Sequence, residues 1–283
     1  MTDVDAKAHD YTEYVSRHLV GMCWYQGPVD SNGEFTRKPD YQCASGFLLQ
    51  VYDTLCLITA GHVLVDHDRD TKKGLIGQHY SLFDFWSPRS ISVERIPFNF
   101  TDAPCWFDYS PQRGLDFAVI ALPDNTLTLL QQTIVPFTHE RWIHQAHVSF
   151  DFYALLGIPS CDATQKTSQE GGRNSIVTFP DSRLIRVEAH PNPPNDLLET
   201  EFPQFIGRIH PNETIPDVAG TSGGPIFGFR CNDKGQLHYW PVAIQSRWRA
   251  QSRTVIGTSI PIVARSIHKW IAGFAQQKCK GPT

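Results

Sequence analysis

No apolar run in the 283-residue sequence approaches the roughly 18–20 residues that a membrane-spanning helix needs. There is no CxxC pair, so a zinc site built on paired cysteines has no foundation. Positive charge is not in surplus. The 25 Lys and Arg stand against 29 Asp and Glu, a formal net charge of −4, and nothing suggests a general affinity for nucleic acid or anionic membrane. Internal repeats and low-complexity segments are absent. The first residues, Met1-Thr2-Asp3-Val4-Asp5-Ala6-Lys7, lack the basic-then-apolar pattern of a secretory leader. The seven cysteines (Cys23, Cys43, Cys56, Cys105, Cys161, Cys231 and Cys279) are odd in number and irregular in spacing. They read as mostly buried thiols in a reducing compartment rather than a disulfide framework. Taken as the native start, this terminus points with those thiols to a cytoplasmic protein.

What is present is turn chemistry and aromatic side chains. Twenty prolines, twenty glycines and 12% aromatics suit a turn-rich β protein, long enough to bury a core in one or two domains. Short apolar runs predict strands near 44–52 and 55–60, then near 147–156, 174–179, 183–190, 204–209, 225–230, 238–246 and 254–260. Ser31-Asn32-Gly33 reads as a hairpin turn. Residues 66–78 are polar and charged and read as an exposed loop; Arg69, Lys72 and Lys73 argue against a calcium loop there. Residues 160–173 and 190–203 read as long loops. Helical spacing predicts a short amphipathic helix over 6–21 and a second helix over 262–277. His139, His144 and His147, spaced by five and three, do not share one helical face, and no metal site is read there.

Three segments carry chemistry. In Val218-Ala219-Gly220-Thr221-Ser222-Gly223-Gly224-Pro225-Ile226-Phe227, glycines on both sides let the backbone turn sharply at Ser222. Such a turn can expose a hydroxyl and aim N–H groups at one point, as an attacking serine requires. Alone, the segment reads equally as a Gly-rich β-turn. In Leu57-Ile58-Thr59-Ala60-Gly61-His62-Val63-Leu64, an apolar run ends in small residues and a histidine, which alone is more often structural. In Leu115-Asp116-Phe117-Ala118-Val119-Ile120, an acid opens a β-prone run. That acid either has a buried partner or sits exposed at a strand end.

Together, Thr59-Ala60-Gly61-His62, Asp116-Phe117-Ala118-Val119 and Gly220-Thr221-Ser222-Gly223-Gly224-Pro225 resemble the trypsin-like, chymotrypsin-fold serine peptidases. The order His, Asp, Ser separates this family from subtilisins and α/β-hydrolases. Ala44-Ser45-Gly46-Phe47-Leu48-Leu49 is similar to the strand before the family's histidine. Leu155-Leu156-Gly157-Ile158-Pro159 and Ile256-Gly257-Thr258-Ser259-Ile260-Pro261 look like second-barrel strands of the bacterial, HtrA-like branch, with no PDZ-like extension expected. The resemblance covers roughly residues 40–265. It implies an all-β fold of two six-stranded antiparallel β-barrels with a C-terminal helix and a short N-terminal helix. The implied layout is an extension over 1–40, a first barrel over 41–135, a second over 136–262, and a helix and tail over 263–283.

The resemblance assigns Ser222 as nucleophile, His62 as general base and acid, and Asp116 as the group that orients the imidazole. The N–H groups of Gly220 and Ser222 would form the oxyanion hole. Pro216 or Asp217 would form the base of the primary substrate pocket. Ile244, Gln245 and Ser246 would lie in the substrate-pairing strand, with Ser246 also supporting Asp116, and Arg247 or Arg249 would attract acidic side chains. Secreted relatives commonly place a cysteine directly after the histidine; here Val63 stands there. Zymogen-activated relatives carry an aspartate before the serine; here Thr221 stands there, so activation by N-terminal clipping is not expected. The implied activity is peptide-bond hydrolysis with no metal or organic cofactor, on a protein or peptide substrate, under a partner or oligomeric gate. Two other readings remain open: a catalytically silent binding module on a protease fold, and an ester or acyl hydrolase.

Overall fold

The computed structural model describes residues 11–12, 14–85, 95–143, 149–160, 164–170, 173–179, 181–215 and 217–279. The first half is built on three successive antiparallel strands, β1 (Leu19–Pro28), β2 (Asp40–Val51) and β3 (Thr54–Thr59). The turn between β1 and β2 closes at Asp30–Glu34, with Gly33 at φ 82°, as Ser31-Asn32-Gly33 predicts. Helix α1 (Gly61–Lys72) follows, then β4 (Leu75–Phe83), β5 (Ile96–Pro97), β6 (Cys105–Ser110) and β7 (Leu115–Ile120). Every ladder is antiparallel and the sheet order is β5-β4-β1-β2-β3-β7-β6. The expected six-stranded first barrel is therefore a seven-stranded sheet whose described ladder ends at β5 and β6. The stretch expected as an extension, 1–40, contributes β1 to the middle of this sheet.

Helices α2 (Asp124–Leu130) and α3 (His139–Ile143) lie in the link to the second half. There β8 (Phe152–Gly157), β9 (Thr164–Glu170), β10 (Arg173–Phe179) and β11 (Arg183–Ala189) precede a short turn of helix, α4 (Asn195–Leu198). β12 (Gln204–Ile209), β13 (Pro225–Cys231), β14 (Leu237–Arg249), β15 (Thr254–Ser259) and helix α5 (Ile260–Cys279) complete the chain. β8, β11, β12, β15, β14 and β13 close into the expected six-stranded barrel, while β9 and β10, among the described residues, pair with each other.

Period-two alternation sorts the side chains into three cores. Val20, Met22, Leu48 and Leu57 pack within the first half; Leu155, Ile185, Ile226 and Val255 fill the barrel. The opposite faces of β2 and β7 carry Phe47, Leu49, Phe117 and Val119. These join Phe227, Phe229, Ile260 and Val263 in a core common to both halves.

Three local expectations are corrected. Residues 66–78 are not a loop. Most belong to α1, where Asp66–Arg69 (2.9 Å) and Asp68–Lys72 (2.6 Å) pair at helical spacing while Val63 and His67 are buried; β4 begins at Leu75. The helix expected over 6–21 is restricted, in the described residues, to 11–12 and 14–16. Leu19 and Val20 are fully buried as sheet residues, so the sheet claims that apolar stretch. Within the expected loop 160–173, Thr164–Glu170 is a strand paired to β10. The C-terminal helix begins at Ile260, burying Val263 and Ile267. His144 and His147 lie outside the described residues.

Candidate active site

His62 sits in the first turn of α1, directly after β3. Its backbone and ring are fixed by the same side chain: Asp116 Oδ1 accepts the His62 N–H at 2.9 Å, and Oδ2 lies 2.8 Å from His62 Nδ1. Asp116 is fully buried near the start of β7. Its own N–H donates to Thr258 Oγ1 (3.0 Å), and the Thr258 hydroxyl donates to the Asp116 carbonyl (3.2 Å). A buried carboxylate needs partners, and His62 supplies them, so Asp116 is a paired acid rather than an exposed one.

Ser222 lies in the loop entering β13. Gly220 and Gly223 have φ of 90° and 89°, a region that favours glycine. A Cβ at Gly223 would collide with the carbonyl of Ser45 and the hydroxyl of Thr59. Within the loop, the N–H groups of Thr221, Gly223 and Gly224 donate to Val218, Gln245 and Thr221 carbonyls. The N–H groups of Gly220 and Ser222 meet no acceptor among the described residues, the condition an oxyanion hole requires.

The two halves are stitched together here by Ser45 of β2. Its N–H donates to the Ser222 carbonyl (2.9 Å), its hydroxyl donates to the Gly220 carbonyl (3.0 Å), and the same hydroxyl accepts the Ile158 N–H (3.0 Å). In this setting Ser222 Oγ stands 3.0 Å from His62 Nε2. The result is one continuous chain, Asp116–His62–Ser222. Burial pushes His62 down, but the hydrogen bond and charge of Asp116, aided by Asp66, outweigh it and hold the ring above its ordinary value. Asp116 thus stabilises the imidazolium that proton transfer from a serine would create.

A cleft of about 210 Å³ opens beside His62 and Ser222, walled by Trp24, Gln42, Cys43 and Asp66. The larger cavity of about 560 Å³, lined by Leu64, His67, Tyr80 and Phe100, includes none of the three residues. The smaller cleft is the candidate site, because the Ser222 hydroxyl, the His62 imidazole and the Gly220 backbone all line it.

Among the residues read for substrate binding, Pro216 lies outside the described residues. Asp217 is exposed and its Oδ1 accepts the N–H of Ala219 (3.1 Å), so it holds its own loop. Ile244 and Gln245 are buried in β14 beside the Ser222 loop; Gln245 exchanges backbone hydrogen bonds with Gly223 and Gly224. Ser246 does not support Asp116: its hydroxyl donates to the Ile256 carbonyl at 3.2 Å, and Thr258 takes the position beside Asp116. A register shift between Gln245 and Arg247 re-aims Ser246 in this way. Sequence reasoning also missed Ser45 as the stitch and Tyr109, whose ring lies 6.4 Å from His62. The small polar residues in Ala44-Ser45-Gly46 and Gly257-Thr258-Ser259, inside otherwise apolar strands, were the available signal.

No family model matches the chain, and no curated protein matches it. Among solved structures, the thermostable serine protease AL20 from an extremophilic microorganism is similar at 14% identity, covering 87% of this chain and 92% of that one, with a TM-score of 0.43. Deg5 is similar at 10% identity, covering 94% of both chains, with a TM-score of 0.43. A structure from work on the Sesbania mosaic virus VPg protein is similar at 13% identity, covering 88% of both chains, with a TM-score of 0.42.

Proposed function

We propose that the chain is a serine hydrolase that cleaves peptide bonds through an acyl-enzyme on Ser222. The observation that carries the reading is the continuous Asp116–His62–Ser222 hydrogen-bond chain beside the two open N–H groups. His62 Nε2 takes the Ser222 proton as Oγ attacks the substrate carbonyl carbon. The Gly220 and Ser222 N–H groups hold the oxyanion, and His62 returns the proton to the leaving amine. Water, deprotonated by His62, then attacks the acyl carbon and releases Ser222.

A polypeptide substrate is favoured over a small ester by β14. Its pairing with β13 stops at Ile244 opposite Pro225, and among the described residues no strand pairs with residues 246–249 on that side. An open strand edge next to the nucleophile accepts an extended chain by main-chain hydrogen bonds. Thr221 supports a site formed without N-terminal clipping. It is fully buried, its hydroxyl donates to the Val218 carbonyl (2.7 Å), and the loop is held from within. Placement in the HtrA-like branch belongs to this proposal and rests on the sequence patterns around Leu155 and Ile256.

The test is labelling by a fluorophosphonate, with Ser222→Ala and His62→Ala alongside. Labelling of the wild type alone is expected. A folded wild type that does not label would sink the reading and favour a silent binding module.

A further inference from the structure

Two arginines follow the Ser222-proximal stretch of β14, and the structure treats them differently. Arg249 is neutralised, with Nη2 at 2.5 Å and Nη1 at 3.4 Å from the two carboxylate oxygens of Asp196. Arg247 pairs with no carboxylate among the described residues. Its one side-chain hydrogen bond among the described residues runs from Nη2 to Gln204 Oε1 (3.0 Å), and its buried Nε meets no acceptor. Burial disfavours the charge on Arg247. Asp116 is foremost among the groups that offset this, with smaller help from Tyr109 and Asp196. Neither acid is free to serve it: both Asp116 oxygens hold His62, and Asp196 holds Arg249.

Arg247 is also well placed. Gln245, two residues earlier, is hydrogen-bonded to Gly223 and Gly224, so Arg247 follows directly along the open edge, across the register shift at Ser246. Tyr109, one of the groups near Arg247, packs beside His62. A half-buried guanidinium with unmatched donors weakens a fold unless something outside the chain completes it. A carboxylate does so with matching geometry, two oxygens to the planar fork.

We infer that Arg247 is a specificity-determining residue of the Ser222 site, binding an Asp or Glu side chain of a polypeptide substrate within about three residues of the scissile bond. This deepens the hydrolase reading and rests on it. The recognition is electrostatic and is made by the side chain while the main chain pairs with the β14 edge.

The experiment is a positional-scanning library of fluorogenic peptides. Asp and Glu are compared with Asn and Gln at each position flanking the cleaved bond, beside fluorophosphonate labelling of the same wild-type preparation. At one position the acids are expected to raise kcat/KM by about tenfold or more over their amides. That preference shrinks with added salt. It is lost in Arg247→Gln, reverses toward Lys and Arg in Arg247→Glu, and partly survives in Arg247→Lys. The salt arm uses wild type alone and stands even if a variant misfolds. Labelled wild type with no acid preference, or a preference that Arg247→Gln retains, overturns the role of Arg247 and leaves the hydrolase reading standing. Wild type that neither labels nor cleaves overturns both.

Discussion

The two halves differ in how they supply the site. In the described residues the first is a sheet whose ladder ends at β5 and β6, and it contributes His62 and Asp116 from regular elements, the first turn of α1 and the start of β7. The second is a closed barrel, and it contributes Ser222 from a loop at the mouth of β13. Closure satisfies the barrel's strand edges and leaves reactive backbone groups only where a loop departs from the ladder. On the proposed function, a proton-handling pair needs the orientation that regular elements give, and a nucleophile needs open N–H groups, which are found where the ladder stops. Neither half is sufficient alone, and Ser45 and Thr258 are the residues by which each half steadies the other's contribution.

This division can be tested from both sides. Ser222→Ala, in the barrel, is expected to reduce kcat by about 10⁶-fold, and adding His62→Ala should cost little more, because the groups act as one unit. Separate additive losses, measured on the same peptide, would contradict a single unit spanning both halves. Asp116→Asn, in the sheet, is expected to reduce kcat by about 10⁴-fold through loss of the correct imidazole tautomer. Phe117→Ala removes a fully buried ring from the common core and is expected to destabilise by about 3–5 kcal/mol. Calorimetry should still show one transition, and two separate transitions would mean that the halves fold independently. Ser45→Ala strands the Gly220 carbonyl and the Ile158 N–H and is expected to destabilise by about 1–3 kcal/mol, with slower labelling of Ser222.

The smallest effect is a displacement in pH. Because Asp116 and Asp66 hold His62 above 6.5 despite its burial, the ring stays protonated, and unable to accept the serine proton, to higher pH than a free imidazole. The acidic limb of kcat/KM should therefore have its midpoint above 6.5. The sign for stability is opposite. The ion pair's contribution is complete below the unfolded value of about 6.5 and fades as pH rises through the raised folded value. Across that window activity rises while this contribution falls. An acidic limb at or below 6.5 would remove the argument.

Much of the barrel was legible because its strands are short apolar runs bounded by turn residues, as at 183–190, 204–209 and 254–260. The three residues that meet at the candidate site were legible because each sits in a compact local pattern. Helix α1 was not, since it has no capping side chain at Ala60 and buries only Gly61, Val63 and His67, so its ion pairs look like solvated loop. β1 was hidden behind tyrosines that suit a helix by spacing. The mutual support of Asp116 and Thr258 spans 142 residues, and no local pattern reports a bond of that length. The register shift at Ser246 has the same origin, because it is set by the neighbouring strand rather than by β14 itself.

The open edge of β14 has a consequence for colloidal behaviour. An unpaired strand edge is a template for any extended segment, including the same edge on another copy of the chain. Two such edges brought together would bring Arg247 toward its own duplicate, and like charges across a new ladder repel. On the proposed role of Arg247, the same charge that receives an acidic guest would also discourage self-stacking of the edge into ribbons.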